Sequence, residues 1–156
     1  MFILLGDPAF RLPAIAKKIK LEVDGQATAG SKIIIRGRIP DEFVGSSGQL
    51  TLERSLNSKP VGIKPLPPMN EIKQRAQVTL ANHKRSNQFV LKELKVEPDN
   101  KMFITQLELP LALPWPKLII RAYFKTSTTE GMGINILYIQ NRNERKDKPD
   151  ILINKK

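Results

Sequence analysis

The sequence predicts an all-β domain, an antiparallel sandwich of about seven to eight short strands. Three observations carry this. Apolar residues recur with period two in short runs, as half-buried strands require. The gaps between runs are rich in Gly, Pro, Asp and Asn, the residues that turns select. No stretch of twelve or more residues shows a helical period. The 156 residues fit one domain with short additions, large enough to hold a core without covalent staples.

The runs follow in order. Ile19 to Val23 alternates apolar and polar residues. Lys32 to Ile39 places Ile33, Ile35, Gly37 and Ile39 on one face. Gly48 to Leu56 sets Leu50, Leu52 and Leu56 against Thr51, Glu53 and Ser55. Ala76 to Leu80, Phe89 to Val96, Met102 to Leu109, Leu118 to Lys125 and Ile134 to Gln140 complete eight candidates. β-Branched and aromatic residues recur in most of them, which suits a pleated surface. Asp24-Gly25, Ala29-Gly30-Ser31, Pro40-Asp41 and Gly45-Ser46-Ser47-Gly48 punctuate the early runs. Pro98-Asp99-Asn100-Lys101 reads as a tight turn with proline at its second position, and Glu130 to Gly133 separates the last pair. Met69 to Gln77 has room for a helical turn or two.

Two proline clusters interrupt the pattern. Pro60, Pro65, Pro67 and Pro68 crowd one connection; Pro110, Pro114 and Pro116 crowd another. Proline cannot donate to a central ladder, so both read as extended connections crossing between sheets. A polyproline ligand is the functional alternative for Pro65-Leu66-Pro67-Pro68. Trp115, between two prolines, is placed to cap one end of the core. The stretch from Asn141 to Lys156 reads as a poorly ordered polar tail, with Asp150 to Ile153 able to add an edge strand.

Composition removes several functions. With no cysteine and only one histidine, His83, the chain carries no disulfide, thiolate metal site, cysteine nucleophile or paired-imidazole centre of its own. No cofactor or metal is expected. The longest N-terminal apolar run, Met1 to Leu5, is far short of the roughly 20 residues of a membrane helix. It also precedes Lys17-Lys18, the reverse of a signal peptide. Asp41-Glu42 and Glu97-Asp99 are the loop carboxylates available for acid–base chemistry, and nothing in their spacing supports an enzyme. Gly45 to Gly48 lacks the partners of a nucleophile elbow. Gly131-Met132-Gly133 lacks the strand–helix setting of a phosphate loop. His83, beside Lys84 and Arg85, reads as a solvated loop residue.

The charge is +11, from 26 lysines and arginines against 15 acids. It is spread along the chain, and the nine aromatics fall mostly in strands, where core packing accounts for them. A nucleic-acid binder concentrates charge and interleaves stacking rings. The best basic patch is Lys73, Arg75, Lys84 and Arg85 beside His83. Such a patch would give weak, salt-sensitive binding to nucleic acid or an anionic polysaccharide.

Ile3 to Pro13, Ile-Leu-Leu-Gly-Asp-Pro-Ala-Phe-Arg-Leu-Pro, resembles the segment that closes the caspase-like domain of gingipain-type cysteine peptidases. The matching positions are Leu5, Gly6, Asp7, Pro8, Arg11 and Leu12, all structural. An immunoglobulin-like β-sandwich commonly follows in that family, and Leu118 to Tyr123 with Gly131 to Ile134 looks like its late strand pair. The resemblance implies three parts: residues 1–16 as the end of a preceding peptidase domain and a linker, 17–140 as the sandwich, and 141–156 as a charged tail. It implies a non-catalytic accessory module that packs on or presents the catalytic domain, with the catalytic His and Cys upstream. It implies a secreted or cell-surface setting, whereas the cysteine-free composition suits a cytosol equally. Phe2 to Leu5, parted from its own sheet, would be available for self-association.

Overall fold

A computed structural model describes residues 17–140. The matches at Leu5, Gly6, Asp7, Pro8, Arg11 and Leu12, the Phe2 to Leu5 contact and the tail beyond residue 140 lie outside the described residues. The order is β1 (Lys17–Lys18), β2 (Lys20–Asp24), β3 (Lys32–Arg38), a 3-10 turn (Asp41–Phe43), β4 (Gly48–Arg54), α1 (Ile72–Ser86), β5 (Val90–Val96), β6 (Met102–Glu108), β7 (Lys117–Lys125) and β8 (Glu130–Tyr138).

The strands form two sheets, β1-β8-β7-β4-β5 and β2-β3-β6. Every pairing is antiparallel except β1 with β8. The alternation read from the sequence sets the faces. Ile33 and Ile35 of β3, Phe103 and Leu107 of β6, Leu50 and Leu52 of β4, and Leu118, Ile120, Ala122 and Phe124 of β7 all point into one buried cluster. The rings of Phe103 and Phe124 meet across the two sheets with centroids 5.7 Å apart. Burial of such side chains stabilises by about 1.5–3 kcal/mol each, so this cluster holds the sheets together.

Two glycines permit close approach. A Cβ on Gly37 would fall 2.0 Å from the ring of Phe103, its partner on β6. A Cβ on Gly133 would fall 2.5 Å from the Ile19 carbonyl. At that point the chain leaves β1 on one sheet and enters β2 on the other. Ile19 N–H donates to Met132 O at 3.0 Å, and Asn135 Nδ2 donates to Leu21 O at 3.0 Å. The run predicted from Ile19 to Val23 is therefore tied to both sheets.

Four local expectations are corrected. Ala76 to Leu80 is not a strand but the middle of α1, a 15-residue helix where no long helix was expected. Its residues are mostly good helix formers, yet it buries no residue, so it has no apolar stripe of period 3.6 to read. His83 lies in its last turn, not a loop; with Lys84 and Arg85 it faces the negative end of the helix dipole. The first proline cluster does not cross between sheets: it joins β4 to β5, neighbours in one sheet. The second, from β6 to β7, does cross. In the turn after β5, Asp99 pairs with Met102, so Asn100 and Lys101 occupy the centre and Pro98 precedes it. Asn100 adopts φ +57°, a left-handed conformation asparagine tolerates.

Candidate interaction surfaces

The outer face of the five-stranded sheet is apolar over β7 and β8 and polar over β4 and β5, where Gln49, Thr51, Glu53, Glu93 and Lys95 line it. On β7, Ile119 and Tyr123 alternate with the buried Ile120 and Phe124; on β8, Met132, Ile134, Ile136 and Tyr138 point the same way. Register sets Ile119 beside Ile136, Arg121 beside Ile134 and Tyr123 beside Met132. Ile134 is 51% exposed, Ile136 48% and Tyr138 70%. Tyr138 therefore does not serve the core, contrary to the sequence reading. The outer face of the three-stranded sheet is more mixed: Lys20, Glu22, Asp24, Lys32, Arg36, Arg38 and Glu108 line it around the exposed Ile34, Met102 and Ile104.

The charges in the middle and at the far end of this area are paired, while Lys117 stands exposed beside Tyr138. Arg121 donates through Nε to Glu53 Oε1 at 3.1 Å and through Nη2 to Glu53 Oε2 at 3.0 Å. Thr51 Oγ1 donates to Glu53 Oε1 at 2.7 Å, and Arg121 Nη1 lies 3.5 Å from Met132 Sδ. Lys125 Nζ meets Glu130 Oε1 at 2.8 Å. The Lys125 ammonium, then the Tyr123 hydroxyl, hold the Glu130 carboxyl below the usual carboxylate range. Desolvation, then Glu130, pushes the Tyr123 hydroxyl above its ordinary value. The face thus offers aliphatic and aromatic area whose central ions, Arg121 and Glu53, neutralise each other, the composition of a protein-contact surface.

A sequence signal for this face existed. Leu118-Ile119-Ile120-Arg121-Ala122-Tyr123-Phe124 is apolar at all but one position. Strands read that way when both faces are covered. Among the described residues only the inner face is.

The second surface is the excursion between β4 and β5. Between Ser55 and Phe89 it carries six lysines and arginines and one acid, Glu71. Polar contacts hold it. Arg54, 3% exposed, donates to Ser58 O at 2.9 Å, Gln88 O at 3.0 Å and Ser86 O, and lies over Phe89 with its guanidinium carbon 4.3 Å from the ring centroid. Asn82 acts like a strand neighbour: it accepts from Lys64 N–H at 3.0 Å and donates to Lys64 O at 2.8 Å.

The four predicted cations divide between the two sides of α1. Lys73 and Lys84 are exposed and about three turns apart, so they share a face. Arg75 and Arg85 are half-buried on the side toward the preceding loop. Arg75 Nη1 donates to Pro67 O at 2.7 Å, and Arg85 Nη1 is buried without a partner. The helix therefore presents two of the four outward together.

Both proline clusters meet beside Trp115. Ser55, Asn57 to Val61, and Pro114 to Lys117 line a groove of about 450 Å³. Trp115 Nε1 donates to Lys59 O at 2.8 Å, which fixes the indole while it packs on the edge of the core.

Three of the four loop carboxylates are engaged by lysines: Asp41 with Lys101 at 2.7 Å, Glu42 with Lys17 at 2.5 Å and Glu97 with Lys95 at 2.8 Å; Asp99 closes its turn through its backbone. Hydrogen bonds from Lys17 and Lys95 hold Glu42 and Glu97 below the usual carboxylate range. Among the described residues, no three His, Cys, Asp or Glu side chains are grouped to hold a metal, and no helix is long and apolar enough to cross a membrane. No protein-family model matches the chain, and no curated protein matches it.

Proposed function

We propose that this chain is a non-catalytic accessory module that docks on another domain of the same polypeptide through the outer face of its five-stranded sheet. The observation that carries the reading is that face: exposed Ile134, Ile136 and Tyr138 of β8 lie along β7, whose Arg121 is neutralised by Glu53. A module of net charge +11 meets little electrostatic opposition where its ions are already paired. The position of the N-terminal strand supports the same partner. β1 pairs with β8 through Lys17–Gly131 and Lys18–Met132, so a domain preceding Lys17 is tethered beside the apolar face.

The finer fold reading is an immunoglobulin-like sandwich. In that scheme β2, β3 and β6 correspond to strands A, B and E, and β4, β7 and β8 to C, F and G, with β5 as an added C′. The resemblance at residues 3–13 names a gingipain-type peptidase domain as the tethered partner. The reading frame upstream of codon 1 tests the parentage. Continuation into a domain with a histidine and a cysteine at the ends of apolar strands supports it; an in-frame stop overturns it. Cleavage of Arg- or Lys-containing peptides by the pure chain overturns the non-catalytic assignment.

A second reading, as a basic module for nucleic acid or an anionic polysaccharide, is favoured by the six-to-one charge ratio of the β4–β5 excursion. Its signature is retention on heparin that falls with salt and with Lys73→Glu and Lys84→Glu.

A further inference from the structure

The groove beside Trp115 is a separate surface that meets the outer sheet face at Lys117, in register with Tyr138. Its lining pairs Trp115 with Pro60, Val61, Pro114 and Pro116, and adds Lys59 and Lys117 with no carboxylate. Prolines and a hydrogen-bonded indole are stiff, so this apolar surface exists before any ligand arrives and costs little entropy to order. Its volume of about 450 Å³ lies within the range of small-ligand and side-chain pockets.

Polar groups along the groove are largely occupied. The indole N–H is spent on Lys59 O, Ser58 Oγ donates to Ser55 O, and the Ser58 carbonyl accepts from Arg54. What remains on offer is an aromatic face, proline walls, two ammonium groups, and the Asn57 amide and Ser55 hydroxyl. The excursion that forms one wall has no acid before Glu71, so the field at the groove is positive.

We propose that this groove binds a short acidic peptide segment of another protein. An apolar or proline side chain of the segment seats against Trp115, and flanking carboxylates meet Lys59 and Lys117. Single-stranded nucleic acid also combines rings with negative charge, but it draws on several stacking platforms in succession. Trp115 is the one aromatic residue lining this groove. The proposal is independent of docking through the sheet face.

Trp115 is the sole tryptophan of the chain, so its fluorescence reports the site directly. The probe is a blocked heptapeptide with a Leu-Pro-Leu centre and two aspartates on each side, titrated into the full chain. A saturable shift of the tryptophan emission is expected. Lys59→Gln with Lys117→Gln weakens binding about tenfold, as expected for losing two partly screened charge contacts. Lys73→Gln with Lys84→Gln, on the helix face, leaves it unchanged. All four positions are exposed, so these variants fold. Three results overturn the proposal: no saturable shift, equal binding of the lysine-flanked counterpart, or equal weakening by the helix-face pair. Tighter binding of oligothymidylate than of the peptide also overturns it and reassigns the groove to nucleic acid.

Discussion

Arg121 on β7 grips Glu53 on β4 through two parallel hydrogen bonds, Nε–Oε1 at 3.1 Å and Nη2–Oε2 at 3.0 Å. The pair sits diagonally across the outer face, because Arg121 is in register with Thr51 and Glu53 with Ile119. Such fork geometry is the strongest form of surface pairing. It also leaves the surrounding isoleucines without an uncompensated charge. A double-mutant cycle with Arg121→Met and Glu53→Gln, followed by urea unfolding, should give a coupling energy of about 0.5–1 kcal/mol. Additive single effects would show that the pair contributes nothing as a pair.

Gly37 and Phe103 make a tighter prediction. The ring occupies the space a Cβ at position 37 would need. Both residues face the core, so the ring cannot swing into solvent. Gly37→Ala should destabilise by about 1–3 kcal/mol, the usual range for overpacking. Phe103→Leu in the Gly37→Ala background should recover part of that loss. Unfolding midpoints check both, and an unchanged midpoint in Gly37→Ala would contradict the packing described.

Arg54 is the hinge pin of the β4–β5 excursion. Three carbonyls, of Ser58, Ser86 and Gln88, converge on its guanidinium. Arg54→Met keeps the aliphatic volume and strands those acceptors, at about 1–3 kcal/mol for the group left unsatisfied. Because α1 buries no residue of its own, the damage should be local. Hydrogen exchange should speed up across Ile72–Ser86 while β7 stays protected. Uniform acceleration through both would show that the helix is held by something other than Arg54.

The cluster at the end of β7 gives a pH dependence. Glu130 is held below the usual carboxylate range by Lys125 and Tyr123. A depressed carboxyl adds stability above its unfolded value and loses it as pH falls through the lower folded value. Lys125 is raised by Glu130, so its share is full below the ordinary lysine value and fades as pH climbs through the raised one. The melting temperature of the wild type should exceed that of Glu130→Gln at pH 7, and the gap should close below about pH 4. In the same variant, Tyr123 should ionise at lower pH, read by absorbance of the phenolate. A pH-independent gap would contradict the ion-pair account.

The sheets were legible in the sequence because burial and period agree in them. Ile33, Ile35, Leu50, Leu52, Leu118 and Ile120 alternate with polar or outward residues, and each points inward. Helix α1 was legible only at its start, where Met69 to Gln77 overlaps it; the rest was not, because helical periodicity reports an apolar stripe facing a core and Ile72 and Leu80 face outward. The basic patch was half legible. Chain proximity groups Lys73, Arg75, Lys84 and Arg85, but helical rotation turns two of them toward the loop. The Trp115 groove was hidden for a topological reason: Pro60 and Pro116 are far apart in the chain and meet only once β4 and β7 pair. The apolar outer face was present in the near-continuous apolar run of β7, but a two-sheet expectation assigns its tyrosine to the core.

The central claim is that the outer face of the five-stranded sheet is covered in the natural polypeptide. Hydroxyl-radical footprinting tests it most directly, comparing this chain with the longest polypeptide that carries it in its source. Met132 and Tyr138 report the face; Met69 and Met102, exposed elsewhere, serve as references. Docking through this face predicts several-fold protection of Met132 and Tyr138 in the natural polypeptide, with unchanged labelling of Met69 and Met102. Equal labelling of Met132 and Tyr138 in the two samples would contradict it.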